Sequence, residues 1–297
     1  MKKILIIFAL VLISKIGFSQ DFQTDFTTYF QTNDTVNQLK VLQMWEAAKP
    51  NDAEWYTSYY NYHFTKSKRE TIVMTTTEPQ SEGFVLEDSL GQVAGYLGSQ
   101  IHFDRVEFNK SIVIIDKGIK RYPNRLDMRF GKIYALGQIA DWDAFTTEII
   151  KTIQYSTTND NKWTWTNNEH IQDSKNFMLR SVQDYQIQLY NTEDDALLLN
   201  MRAIANEVLK YYPNHIESLS NLSVTYLLTG DYDKGIETLL RAEKISPKDY
   251  IILANIAHGY NLKQDYKKAI EYYEKVVLYG DENAIEFAKQ QLAGLRK

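Results

Sequence analysis

Like residues recur 34 positions apart near the carboxyl end of this 297-residue chain: Pro213 and Pro247, Leu219 and Leu253, Tyr226 and Tyr260, Asp231 and Asp265, Tyr232 and Tyr266, Gly235 and Ala269. A period of that length holds two helices and two turns, and a unit so small cannot bury its own apolar face. Copies must therefore stack into a solenoid. The expected fold is all-α: an α-solenoid of antiparallel helix pairs with Leu222 and Ile256 turned into one apolar spine. Such an array presents surface more readily than it gathers reacting groups.

The first unit, residues 216–249, carries Leu219, Leu222, Tyr226, then G-D-Y-D-K-G from Gly230 to Gly235, then Leu239, Ala242 and Pro247. The second, residues 250–283, repeats it with Leu253, Ile256, Tyr260, Q-D-Y-K-K-A from Gln264 to Ala269, Tyr273 and Val276. Here the chain resembles the tetratricopeptide repeat family, whose pattern is W-x2-L-G-x2-Y, then A-x3-F, then P. Leu219 and Leu253 stand where the family has tryptophan, and Gly235 and Ala269 supply the small residue at the helix crossing. In the second unit Asp281 replaces the closing proline. A last helix is expected over 281–297, with Ile285, Ala288, Leu292 and Leu295 in one stripe that covers the open end of the stack.

Weaker echoes run towards the amino end. The segment Gly118–Leu126 resembles Val208–Ile216, each with a Tyr-Pro-Asn junction, and Asp141-Trp142 takes the place of Asp231-Tyr232. These mark degenerate repeat-like helices over 101–156 and another helix pair over 174–215. Residues 20–65 read as helices joined at Lys49-Pro50-Asn51. Two stretches break the rhythm. Residues 66–100 are irregular, with Gly83, Gly91, Gly95 and Gly98 around short apolar runs, and predict a small β-hairpin turning near Asp88–Gly91. Residues 157–173 form a polar, Asn-rich loop.

Lys2 and Lys3, an apolar run from Ile4 to Ile13 and small residues at Gly17 and Ser19 predict an export signal over 1–19. The run is too short for a membrane span. Export places the protein in a periplasm or outside the cell, with no membrane span in the mature chain. Loss of Lys2, Lys3 and Lys15 with that segment takes the formal charge from −5 to −8, which argues against a nucleic-acid surface. Cysteine is absent, so the fold depends on packing without disulfides, and a lipid-bearing cysteine is excluded.

No sequence pattern for catalysis emerges. Gly131-Lys132 lacks the rest of a phosphate loop, Gly98-Ser99 lacks the rest of a nucleophile elbow, and the five histidines are scattered. A non-enzymatic chain with no cofactor and no metal is expected. The family resemblance implies a groove lined by the first helix of each unit, and its positions fall on Glu217, Ser220, Asn221, Val224 and Leu227, then Ile251, Ala254, Asn255, His258 and Asn261. Of these, Asn221, Val224, Asn255, His258 and Asn261 are the candidate contacts to a protein or peptide partner. One branch of the family grips acidic peptide ends with cations at places that here hold Gln186, Tyr190, Asn221, Ile251 and Asn255, so that clamp is not expected. Asn221 and Asn255 are placed either to bond an extended peptide backbone or to bond the backbone of a neighbouring helix. Trp163 and Trp165, two apart in the polar loop, form either an exposed aromatic platform for a peptide or sugar ring, or a plug between the two helical halves. The platform is the basis of an alternative, glycan-binding reading.

Overall fold

Aspartate starts most of these helices. Asp21, Asp34, Asp52, Asp104, Asp141, Asp249, Asp265 and Asp281 each accept a backbone N–H of the helix that follows, satisfying donors that have no partner inside it. The computed structural model describes residues 21–78 and 83–296, so the expected export segment lies outside the described residues.

Among the described residues thirteen α-helices form six hairpins and a cap: α1 (Phe22–Gln31) with α2 (Thr35–Ala48), α3 (Ala53–Ser67) with α4 (Arg105–Arg121), α5 (Leu126–Gln138) with α6 (Trp142–Thr158), α7 (Ser174–Tyr190) with α8 (Leu198–Tyr211), α9 (Ile216–Leu228) with α10 (Tyr232–Ile245), α11 (Tyr250–Leu262) with α12 (Tyr266–Tyr279), and α13 (Glu282–Leu295). Four of the six share one turn. The residue before the aspartate, Asn33, Ala140, Gly230 or Gln264, has φ between 55° and 82°, in the left-handed region. The aspartate N–H then reaches back five residues, from Asp34 to the Tyr29 carbonyl, Asp141 to Leu136, Asp231 to Tyr226 and Asp265 to Tyr260, at 2.9 to 3.0 Å. This closure ends a helix and reverses the chain in the same step. The N-terminal pair α1/α2 thus uses the turn of the clear repeats, although its sequence shows little of their pattern.

The β segment is larger than the expected hairpin. It is a three-stranded antiparallel sheet, β1 (Lys68–Thr75), β2 (Gly83–Glu87) and β3 (Val93–Phe103), in the order β1-β3-β2. The hairpin turn falls where expected: Asp88 Oδ1 accepts from the N–H groups of Leu90 and Gln92, and Gly91 has φ +76°. The extra strand, β1, pairs Lys68 with Phe103 through Thr75 with Tyr96. It continues directly from α3, and β3 runs into α4, with Asp104 N–H donating to the Ser67 carbonyl at 2.8 Å. The sheet therefore occupies the turn of an otherwise ordinary helical hairpin, which leaves the packing of α3 on α4 intact.

The apolar interior is in two parts. One runs from Phe22 to Val208 and includes Trp45, Phe145, Ile149 and Trp163; the second runs from Leu219 to Leu292 and includes Leu253, Ile256, Tyr273 and Ala288. Leu222 and Ile256 are both buried, as the solenoid requires. At the crossing of α9 and α10 a Cβ on Gly235 would meet Leu227 Cδ2 at 2.6 Å, which explains the small residue there. In α13 Ala288 and Leu292 are buried and Ile285 and Leu295 half-buried, so the last helix does cover the end of the stack. Tyr273 is fully buried, its hydroxyl has no hydrogen-bond partner, and burial raises its phenol pKa. Tyr273→Phe removes an unsatisfied polar atom and should stabilise the protein by about 1 kcal/mol. A urea titration checks this; a loss of that size would show that the hydroxyl makes a bond in solution.

Candidate functional site

Three first helices, α7, α9 and α11, carry the residues expected to line the groove. Helix α9 begins at His215, whose Nδ1 accepts from Ser218 N–H at 3.3 Å. Its Nε2 lies 3.2 Å from Glu217 Oε2. Burial lowers the His215 pKa despite that carboxylate, which fits a neutral ring with Nδ1 free to accept. The ring is spent on the cap and is not poised as a base.

One turn further along, Asn221 meets Gln183 of α7 in a reciprocal pair: Asn221 Nδ2 donates to Gln183 Oε1 at 2.6 Å, and Gln183 Nε2 donates to Asn221 Oδ1 at 3.3 Å. Next in the stack, Asn255 Nδ2 of α11 donates to Ser220 Oγ of α9 at 3.3 Å. Both asparagines thus tie neighbouring first helices together, through side chains rather than backbone. His258 is exposed and Asn261 half-buried, further along the same face of α11.

The Gln183–Asn221 pair stands between two hollows. On one side a cavity of about 580 Å³ is lined by Asn176, Arg180, Gln183, Asp184, His215 and Glu217, with charges of both signs. On the other, a cavity of about 200 Å³ is lined by Gln186, Ile187, Tyr190, Met201, Asn221 and Val224, with no charged group among them. Val224 is half-buried and Tyr190 is 51% exposed, so this smaller hollow opens to solvent. Sequence reasoning identified Asn221 and Val224 but not Ile187 and Met201, which come from other helices. Gln186 carried a signal of its own, as a polar residue in the buried stripe of Leu179, Val182 and Leu189.

The two loop tryptophans do not share a surface. Thr164 N–H donates to the Asn124 carbonyl at 2.9 Å, and Leu126 N–H donates to the Thr164 carbonyl at 3.0 Å, which clips the loop along the start of α5. Trp163 is drawn under it, 1% exposed, with its ring beside Tyr155 and the Arg129 guanidinium 5.6 Å from its centre. Trp165 is 36% exposed and packs edge-on against Phe130 and Phe177. The platform suggested by their spacing is therefore not formed. A backbone bond explains why: loop pairing to residues 124–126 fixes which side each ring faces.

Among the described residues no three His, Cys, Asp or Glu side chains are placed to hold a metal ion. Among the same residues no helix is long and apolar enough to cross a membrane.

Among the curated proteins no relative matches the sequence. Three solved structures show overlapping helical arrangements at low similarity. The C-terminal part of a TPR repeat-containing protein from Cytophaga hutchinsonii is 12% identical with a TM-score of 0.44, covering 87% of this chain and 79% of that one. YrrB, described as a TPR protein with an unusual peptide-binding site, is 12% identical with a TM-score of 0.41, covering 84% of this chain and 97% of its own. MamA is 15% identical with a TM-score of 0.36, covering 64% of this chain and 93% of its own. The tetratricopeptide repeat model matches residues 216–249 and 251–279, the two units that the 34-residue spacing marks out. With their shared turn, buried spine and stacked hairpins, these two segments are tetratricopeptide repeats.

Proposed function

We propose that this chain is a non-enzymatic interaction scaffold, and that the groove along α7, α9 and α11 takes an extended segment of a partner protein. The repeats are a protein-interaction fold. The observation that carries the finer reading is the small, uncharged, solvent-open hollow between Tyr190 and Val224, next to an amide pair that ties α7 to α9. A rigid apolar recess on a helical scaffold suits an inserted side chain. The amino-terminal run of Lys2, Lys3 and apolar residues supports a setting in the cell envelope or outside the cell.

A photo-reactive residue at position 224, compared with one at Glu237 on the exposed face of α10, tests the reading in the native cell. Cross-linking to a partner should occur from the groove position only. Val224→Arg places a guanidinium in a hollow with no counter-charge and should lower recovery of that partner at least about tenfold, with the melting curve unchanged. Equal recovery with the arginine variant would remove the groove as the binding surface.

A further inference from the structure

On α7 the residues turned inward are Met178, Leu179, Val182, Gln186 and Leu189. Gln186 is 1% exposed, and neither Nε2 nor Oε1 has a hydrogen-bond partner. A buried amide left unpaired at both ends destabilises a protein, and such groups are rare in native interiors. This one borders the 200 Å³ hollow, and turning its terminal amide outward breaks no hydrogen bond.

The chemistry of a complementary ligand follows from what the amide lacks. It needs an acceptor for Nε2 and a donor for Oε1, side by side. A carboxylate supplies only acceptors and an ammonium only donors, whereas the N–H and C=O of one residue in an extended chain point to the same side and supply one of each. The hollow is smaller than the roughly 300–1,000 Å³ of pockets that enclose whole ligands, so it suits one side chain of a longer chain. With no charge among its lining residues, that side chain is apolar. The neighbouring amides of Gln183 and Asn221 already satisfy each other and do not compete.

We propose that Gln186 is a specificity-determining residue that reads the N–H and C=O of one main-chain residue of the bound segment, while that residue's aliphatic side chain enters the hollow formed by Ile187, Tyr190, Met201 and Val224. This rests on the groove being the binding surface.

The test uses two small probes with the same aliphatic group: N-acetyl-leucine N-methylamide and its analogue with an ester oxygen in place of the leucine N–H. Titrations followed by the methyl NMR signals of Val224, Ile187 and Met201 give their relative affinities. The amide should bind roughly tenfold more tightly than the ester, which cannot donate to Oε1. In Gln186→Met, which keeps the side-chain length without the amide, that preference should fall to about one, with melting no lower than in the parent. Equal binding of amide and ester to the parent protein, a preference that survives in the methionine variant, or no response to the amide would overturn the proposal. If equal binding is found while Val224→Arg still abolishes partner capture, the groove reading stands and only the role of Gln186 falls.

Discussion

Replacing Arg125 with alanine should destabilise the amino-terminal half by about 3–5 kcal/mol. The side chain is 1% exposed and sits between two carboxylates. Its Nη1 reaches Glu54 Oε1 at 2.5 Å, its Nη2 reaches Asp127 Oδ2 at 2.7 Å, and its Nε donates to Asp127 Oδ1 at 2.8 Å. Burial works against the guanidinium charge, but the Asp127 and Glu54 carboxylates outweigh it and raise the Arg125 pKa. Truncation would leave two acids in a nearly dry site without their counter-charge, which costs far more than an exposed pair would. Glu54 also accepts from Asn167 N–H at 2.8 Å, so the cluster joins α3, α5 and the loop that carries Trp163 and Trp165. All five tryptophans lie between positions 45 and 165, so tryptophan fluorescence reports on this half alone. The fluorescence midpoint should fall by on the order of 10 °C. A shift of only a degree or two would show that water enters the site and screens the three charges.

The second large effect separates the two ends of the molecule. Ile256→Asp puts a carboxylate at a position that is 0% exposed in the carboxyl-terminal core. An unpaired buried acid costs several kcal/mol whether it stays charged or is protonated to avoid the charge. In a stacked array each unit depends on its neighbours, so α11, α12 and the covering helix α13 should unfold together, while α1 to α8 retain their own core. Circular dichroism should therefore show an early loss of helix with no matching change in tryptophan fluorescence. Coincident transitions by both probes would mean that the two cores fold as one unit. Together with Arg125→Ala, this variant tests the division of the interior from both sides.

The pattern of stability bears on the groove. The small hollow draws on α7 and α8 from the first core region and on α9 at the start of the second, so it lies where the two meet. A ligand seated there touches both and should couple their unfolding, which the same pair of probes reads directly.

Much of the helical architecture was legible because its signals are local. The apolar spacing within each repeat unit and the stripe of Ile285, Ala288, Leu292 and Leu295 behind Asp281 each depend on residues within a few turns of one another. Strand β1 was not legible: Lys68-Arg69-Glu70 opens it with three charges, and its pairing with β3 involves residues about thirty positions away. The α1/α2 hairpin hid its kinship because the shared turn is a backbone angle that Asn33, Ala140, Gly230 and Gln264 all adopt, so no one residue type marks it. At the site, Asn221 and Val224 followed from the groove positions that the family resemblance implies. Their surroundings did not, since Ile187 and Met201 reach the hollow from α7 and α8.

The sequence by itself determined that the chain makes stacked helical hairpins and which side chains form the carboxyl-terminal spine, because helix periodicity acts over a few residues. Tertiary structure alone decided that Asn221 is engaged by Gln183, that Gln186 is left without a partner, and that Trp163 is buried while Trp165 stays half in solvent. Those outcomes depend on contacts between segments far apart in the chain, where the identity of a residue does not reveal which neighbour will satisfy it.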